Sequence, residues 1–188
     1  MGGSPSLREC WPDLNCRYNE SMKPGTRAIF LLIFLSCAGL VSYALYLQLI
    51  ENLLPCPLCV VQRVAYWLIG LIALLAFFQN PRVIVRRIYS GAMALLAFTG
   101  AVVALRQAWL VRYPEAFECG ISPEEEFLNA LPIARWWPTM FEANGDCADA
   151  IWKFASLNLP DWSAIFFLIF GGLAVYIIFA GYDGHFST

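Results

Sequence analysis

Charge is scarce in this chain. Asp, Glu, Lys and Arg make up only 14% of its 188 residues, and the formal net charge is −2. Soluble domains carry charge on roughly a quarter of their residues, so an ordinary water-facing surface is excluded. There is no basic run with interleaved aromatics to follow a phosphate backbone, and no nucleic acid partner is expected. Histidine is nearly absent as well. The single His185 lies near the C-terminus, and the Cys-x-x-Cys at Cys56 and Cys59 has no second copy. Structural zinc usually recruits that pattern twice or pairs it with histidine, so no metal site is expected.

Apolar sequence fills the space that charge leaves. Hydrophobic residues make up 60% of the chain, and the mean hydropathy is +0.61. Four stretches are apolar and long enough to span: Ala28 to Ile50, Val60 to Phe78, Ile88 to Val111 and Ser163 to Tyr182. A hydrocarbon core of about 30 Å takes about 20 helical residues at about 1.5 Å rise each. The expected fold is an all-α membrane protein, a four-helix transmembrane bundle embedded in a lipid bilayer. In the second stretch Gln62 and Arg63 leave a strictly apolar run only from Val64, which puts its start near the interface. The first stretch is long for a signal-peptide core and follows 27 mostly polar residues, so it reads as a retained helix.

Basic residues orient the bundle. Arg8, Arg17, Lys23 and Arg27 precede the first span, and Arg82, Arg86 and Arg87 lie between the second and third. The segment from Arg112 to Trp162 has three basic residues against nine acids. The positive-inside rule then places both termini in the cytoplasm. A short loop (51–59) and a long one (112–162) face outward, which in a bacterium means the periplasm. Residues 1–27 form a cytoplasmic extension, 28–182 the membrane domain and 183–188 a tail.

Orientation sorts the seven cysteines. Cys56, Cys59, Cys119 and Cys147 fall on the outward side, where disulfides persist. A bridge between Cys119 and Cys147 could simply restrain a long loop. One between Cys56 and Cys59 closes so short a loop that stability is a poor reason for it, and redox exchange is the better one. Four outward cysteines allow three full pairings, and all three stay open at this point. Cys10 and Cys16 read as reduced cytoplasmic thiols, and Cys37 as a small packing residue.

Two arginines strengthen the redox reading. Arg63 follows Cys59 by four positions, about one helical turn along the same face, where a guanidinium stabilises a thiolate. It could also hold the anionic form of an electron acceptor. Arg106, with Gln107 beside it, lies toward the outward end of the third span. An ionisable residue there is a functional candidate unless it merely reaches back to the headgroups. Trp136, Trp137, Met140 and Phe141 form an aromatic-rich cluster suited to the membrane interface, and a short interfacial helix is expected there within the long loop.

Taken together, Pro55-Cys56-Pro57-Leu58-Cys59-Val60-Val61-Gln62-Arg63, Arg106-Gln107-Ala108-Trp109-Leu110 with Tyr113-Pro114, Cys119-Gly120, Trp137-Pro138, Gly145-Asp146-Cys147, Trp152, Phe154, Pro160 and Trp162 resemble the bacterial disulfide bond formation protein B (DsbB) family. The resemblance covers about residues 28–182. The departures are the N-terminal extension and the acidic stretch from Ser122 to Glu126. The resemblance implies an inner-membrane enzyme that reoxidises a periplasmic DsbA-like thiol oxidase and passes two electrons to a membrane quinone, ubiquinone or menaquinone. It also implies that Cys119 forms the mixed disulfide with the partner and Cys147 is its loop mate. Cys56 and Cys59 form the second pair, with Cys59 and Arg63 facing the quinone. Arg106 or Gln107 falls where the family places a further quinone-site residue.

Two other functions fit parts of the pattern. A four-helix scaffold with a disulfide-braced outer loop, as in tetraspanin-like proteins, would need a Cys-Cys-Gly pattern that is absent, and it gives no reason for Arg63. A quinone reductase resembling the vitamin K epoxide reductase family would carry its Cys-x-x-Cys after the loop cysteines, whereas here it comes first.

Overall fold

A computed structural model describes residues 24–50, 55–113, 130, 136–141, 153–154 and 156–179. Among these, α1 (Pro24–Ile50), α2 (Pro57–Gln79) and α3 (Val83–Arg112) are followed by a four-residue helix, α4 (Pro138–Phe141). A two-stranded antiparallel ribbon of β1 (Lys153–Phe154) and β2 (Leu157–Asn158) then leads into α5 (Leu159–Phe179). The four long helices are each long and apolar enough to cross a membrane. Even α5, with 21 residues, extends about 32 Å at about 1.5 Å per residue.

The helices start earlier than hydropathy alone suggests, and local chemistry explains the shifts in α2, α3 and α5. In α2 the start is Pro57 rather than residue 60, because proline's fixed φ suits a first helical position and Cys56 caps it. Asn80 ends that helix in the left-handed conformation (φ 45°, ψ 58°) and Pro81 cannot continue it. Only residues 80–82 therefore separate α2 from α3, and Arg86 and Arg87, read above as part of a connection from 79 to 87, lie in the first turns of α3. Pro160 sits in the first turn of α5, which starts at Leu159 instead of 163. There the Asp161 carboxylate accepts from the Asn158 backbone N–H at 3.1 Å and from Arg112 Nη2 at 2.8 Å, joining the ends of α3 and α5.

Packing follows chain order, with α1 on α2, α2 on α3, and α3 most extensively on α5. Small residues make the last contact close. Ala97, Gly100, Ala101 and Ala104 of α3 are buried, and they let the large side chains of α5 approach the α3 backbone. Phe167 lies directly over Gly100, where an added Cβ would come within 2.4 Å of the ring. The same ring stacks on Tyr66 of α2, with centroids 4.2 Å apart and planes 4° apart. The Tyr66 hydroxyl, in turn, donates to the Ser163 carbonyl at 3.1 Å. One aromatic pair thus ties three helices. At the opposite end of the bundle from the cysteine pair, Arg27 Nη2 donates to the Phe77 carbonyl at 3.3 Å, and its guanidinium lies over the Phe77 ring.

Cys37 is a buried core residue, packed against Gly70. The short helix α4 packs on α2. Its Met140 is 1% exposed within the core cluster, while Trp136 just before it is 83% exposed. The short stretch 136–141 is therefore held to the bundle by methionine, with Trp136 exposed.

Candidate functional site

The cysteine pair is built into the start of α2. Cys56 is the N-cap, in extended backbone (φ −81°, ψ 162°), and its Sγ accepts from the Cys59 backbone N–H at 3.2 Å. That contact satisfies one of the amides that the first turn leaves without an intrahelical partner. The arrangement brings the two sulfurs into contact at 2.8 Å, with Cys56 Sγ donating to Cys59 Sγ. Both residues are free thiols here. Cys56 is buried, whereas Cys59 is partly accessible.

Polar side chains from three helices surround the pair. Gln107 of α3, 3% exposed, donates from Nε2 to Cys59 Sγ at 3.0 Å and to Cys56 Sγ at 3.3 Å. Gln62 of α2, 6% exposed, donates to Gln107 Oε1 at 2.7 Å. Arg63, 8% exposed, donates from Nη1 to Gln48 Oε1 of α1 at 2.7 Å and lies one helical turn beyond Cys59. Cys59 Sγ thus collects two donors, Cys56 Sγ and Gln107, and lies within reach of a cation. Hydrogen bonds to a charged acceptor are about twice as strong as neutral ones, so Cys59 is the sulfur best equipped to hold negative charge. Apolar Leu58, Val103 and Leu110 pack around the pair.

The residues singled out from sequence are distributed unequally. Cys56, Cys59, Arg63 and Gln107 converge. Arg106 does not share their face: it is exposed on α3, where the helix's turn of about 100° per residue separates it from its buried neighbour. Cys119 and Cys147, like Cys10 and Cys16, lie outside the described residues. In the sequence Gln62 stands out as an interruption of hydropathy and as part of the motif that carries the family resemblance, whereas Gln48 does not stand out. Both carried a usable signal, since a polar side chain inside a span needs an internal partner.

The surroundings also suit a quinone. Arg63 presents five N–H donors, of which one is used among the described residues. A buried guanidinium, a partly accessible sulfur one helical turn away and an apolar rim are features that fit an apolar ring bearing carbonyl oxygens.

Comparison with known proteins identifies the family. The family model described as "Disulfide bond formation protein DsbB" matches residues 26–177. A protein of Nitrosospira multiformis named Disulfide bond formation protein B is 74% identical over 160 residues, covering 85% of this chain and 95% of the relative. Proteins of the same name from Nitrosomonas eutropha and Nitrosomonas europaea are 65% and 67% identical over 148 residues, covering 79% of this chain and 91% and 90% of theirs. With its four membrane-length helices and a match running through all of them, this chain belongs to the DsbB family of disulfide bond formation proteins.

Proposed function

We propose that this multi-pass inner-membrane thiol oxidoreductase reoxidises a periplasmic DsbA-like partner and is quinone-dependent, with both termini in the cytoplasm. The observation that carries the reading is the Cys59 sulfur, partly accessible, which accepts from the buried Gln107 amide at 3.0 Å and has the buried Arg63 one helical turn along the same helix. In this reading the partner's thiolate attacks the Cys119–Cys147 disulfide at Cys119 and releases Cys147 as thiolate. The partner's second thiol then displaces Cys119 and leaves with the new disulfide. The reduced loop pair exchanges in turn with the Cys56–Cys59 disulfide, leaving Cys56 and Cys59 as thiols. A bound quinone, ubiquinone or menaquinone, supplies the acceptor for two electrons and two protons. Cys59, Arg63 and Gln107 would hold it, and Arg106, on another face, would not touch it. Arg63 offers a fixed positive charge to developing negative charge on an acceptor oxygen, and the apolar rim keeps water away.

The direct test combines purified protein, a reduced DsbA-like partner and a soluble quinone analogue, and follows quinone absorbance. Catalytic loss of quinone absorbance is expected. No turnover with either a ubiquinone or a menaquinone analogue would overturn the proposal. A second expectation concerns the loop pair. A partner lacking its resolving cysteine should be captured at Cys119, as read by mass spectrometry of the mixed disulfide, and capture at Cys147 would reverse the two roles.

A further inference from the structure

We infer that Gln62 is a positioning residue, which fixes the orientation of the Gln107 amide so that its NH2 end faces the sulfurs of Cys56 and Cys59. The inference rests on that pair being the redox pair proposed above. Gln62 touches neither sulfur among the described contacts; it acts through Gln107.

The argument starts from the two ends of an amide. The Gln107 side chain has an acceptor oxygen and a donor nitrogen of nearly equal size, so packing alone does not choose which end meets the cysteines. The choice matters chemically. With Nε2 toward the sulfurs, at 3.0 and 3.3 Å, the amide donates to both and favours a thiolate. Turned half a revolution, the same amide would place its oxygen lone pairs against sulfur and oppose negative charge there.

Gln62 ties that choice to its own amide. Its Nε2 donates to Gln107 Oε1 at 2.7 Å, across the α2–α3 contact and between two side chains that are almost wholly buried. Reversing Gln107 alone would set its NH2 against the Gln62 NH2, a costly clash of buried donors, so Gln107 can turn only if Gln62 turns with it. The position also follows from helix geometry. Gln62 lies three residues after Cys59 on α2, so its side chain leaves the helix on the same side as the pair. The order of contacts runs from Gln62 to Gln107 and then to both sulfurs.

The test measures the thiols themselves. Full-length protein, purified in detergent and reduced, is treated with iodoacetamide over a pH series, and alkylation of the peptide containing Cys56 and Cys59 is followed by mass spectrometry. Gln62→Met keeps the volume of the side chain and removes its donor. Gln62→Glu offers Gln107 an acceptor in place of a donor and draws its NH2 away from sulfur. Both variants should alkylate more slowly at neutral pH, Gln62→Glu by roughly tenfold, the equivalent of one lost charge-assisted hydrogen bond, with the profile displaced to higher pH.

In a Gln107→Leu background both substitutions should have no further effect, because Gln62 then has nothing to orient. A Gln62→Met profile that overlays the unsubstituted protein would overturn the inference. So would a Gln62→Glu effect that persists with Gln107→Leu, since the added charge would then be acting directly. The assay contains neither quinone nor partner protein. A negative result here leaves the proposed function standing, and absence of quinone turnover with a displaced alkylation profile would count against the proposed function alone.

Discussion

Replacing Arg63 with alanine is expected to lower quinone reduction by at least about a hundredfold, the usual scale for removing one preorganised donor from a site of developing charge. Cys59→Ser should abolish it, because the sulfur that faces the acceptor is gone. The two variants differ in what they leave behind. Arg63→Ala retains all the thiols and leaves the Cys56–Gln107 and Cys59–Gln107 contacts intact. It removes the cation and frees Gln48, to which the guanidinium is tied at 2.7 Å. Arg63→Lys restores a charge without the planar fork, so it should recover only part of the rate. Steady-state quinone absorbance with reduced partner measures all three. Unchanged turnover in Arg63→Ala or Cys59→Ser would remove these residues from the site.

The second large effect is structural. Gly100→Ala should lower the thermal unfolding temperature of the purified protein, and Gly100→Val should keep it from accumulating in membranes. A Cβ at Gly100 meets three atoms of the Phe167 ring at 2.4 to 2.7 Å, closer than real contacts allow. The ring has no room to retreat, being fully buried and stacked on Tyr66. Overpacking of this kind costs about 1–3 kcal/mol for a modest intrusion. Phe167→Leu should partly rescue Gly100→Ala, since contacting positions are not additive. Gly91→Ala, on the same helix with nothing within 4 Å of the added carbon, should be tolerated. An unfolding temperature for Gly100→Ala equal to that of Gly91→Ala would show that α3 and α5 are not held as described.

The four spans were legible because the hydrophobic thickness of a bilayer sets a length that apolar runs must meet, and a window of hydropathy averages over such a length. Their starts were less legible, because single residues decide them. Cys56, Asn80 and Asp161 act as caps or stops, and Pro57, Pro81 and Pro160 fix the backbone beside them. That Cys56, Cys59 and Arg63 lie on neighbouring turns at the start of one helix could be read from local spacing alone. Gln107 could be narrowed only to a choice with Arg106, since adjacent residues on a helix point in different directions and sequence does not state which faces inward. Gln48 and Gln62 could be marked as polar side chains in need of an internal partner, but the partners themselves, 15 and 45 residues away, have no local signature. The Gly100–Phe167 contact, likewise, has no sequence signature.

Because Cys56, one of the sulfurs proposed to react, is also the cap of α2, that thiol chemistry would share an atom with the start of a membrane-length helix. The helix itself holds the two sulfurs together, so opening and closing their bond asks little of the backbone around them. In mechanical terms, α2 is a rigid mount that carries both sulfurs in its own first turn.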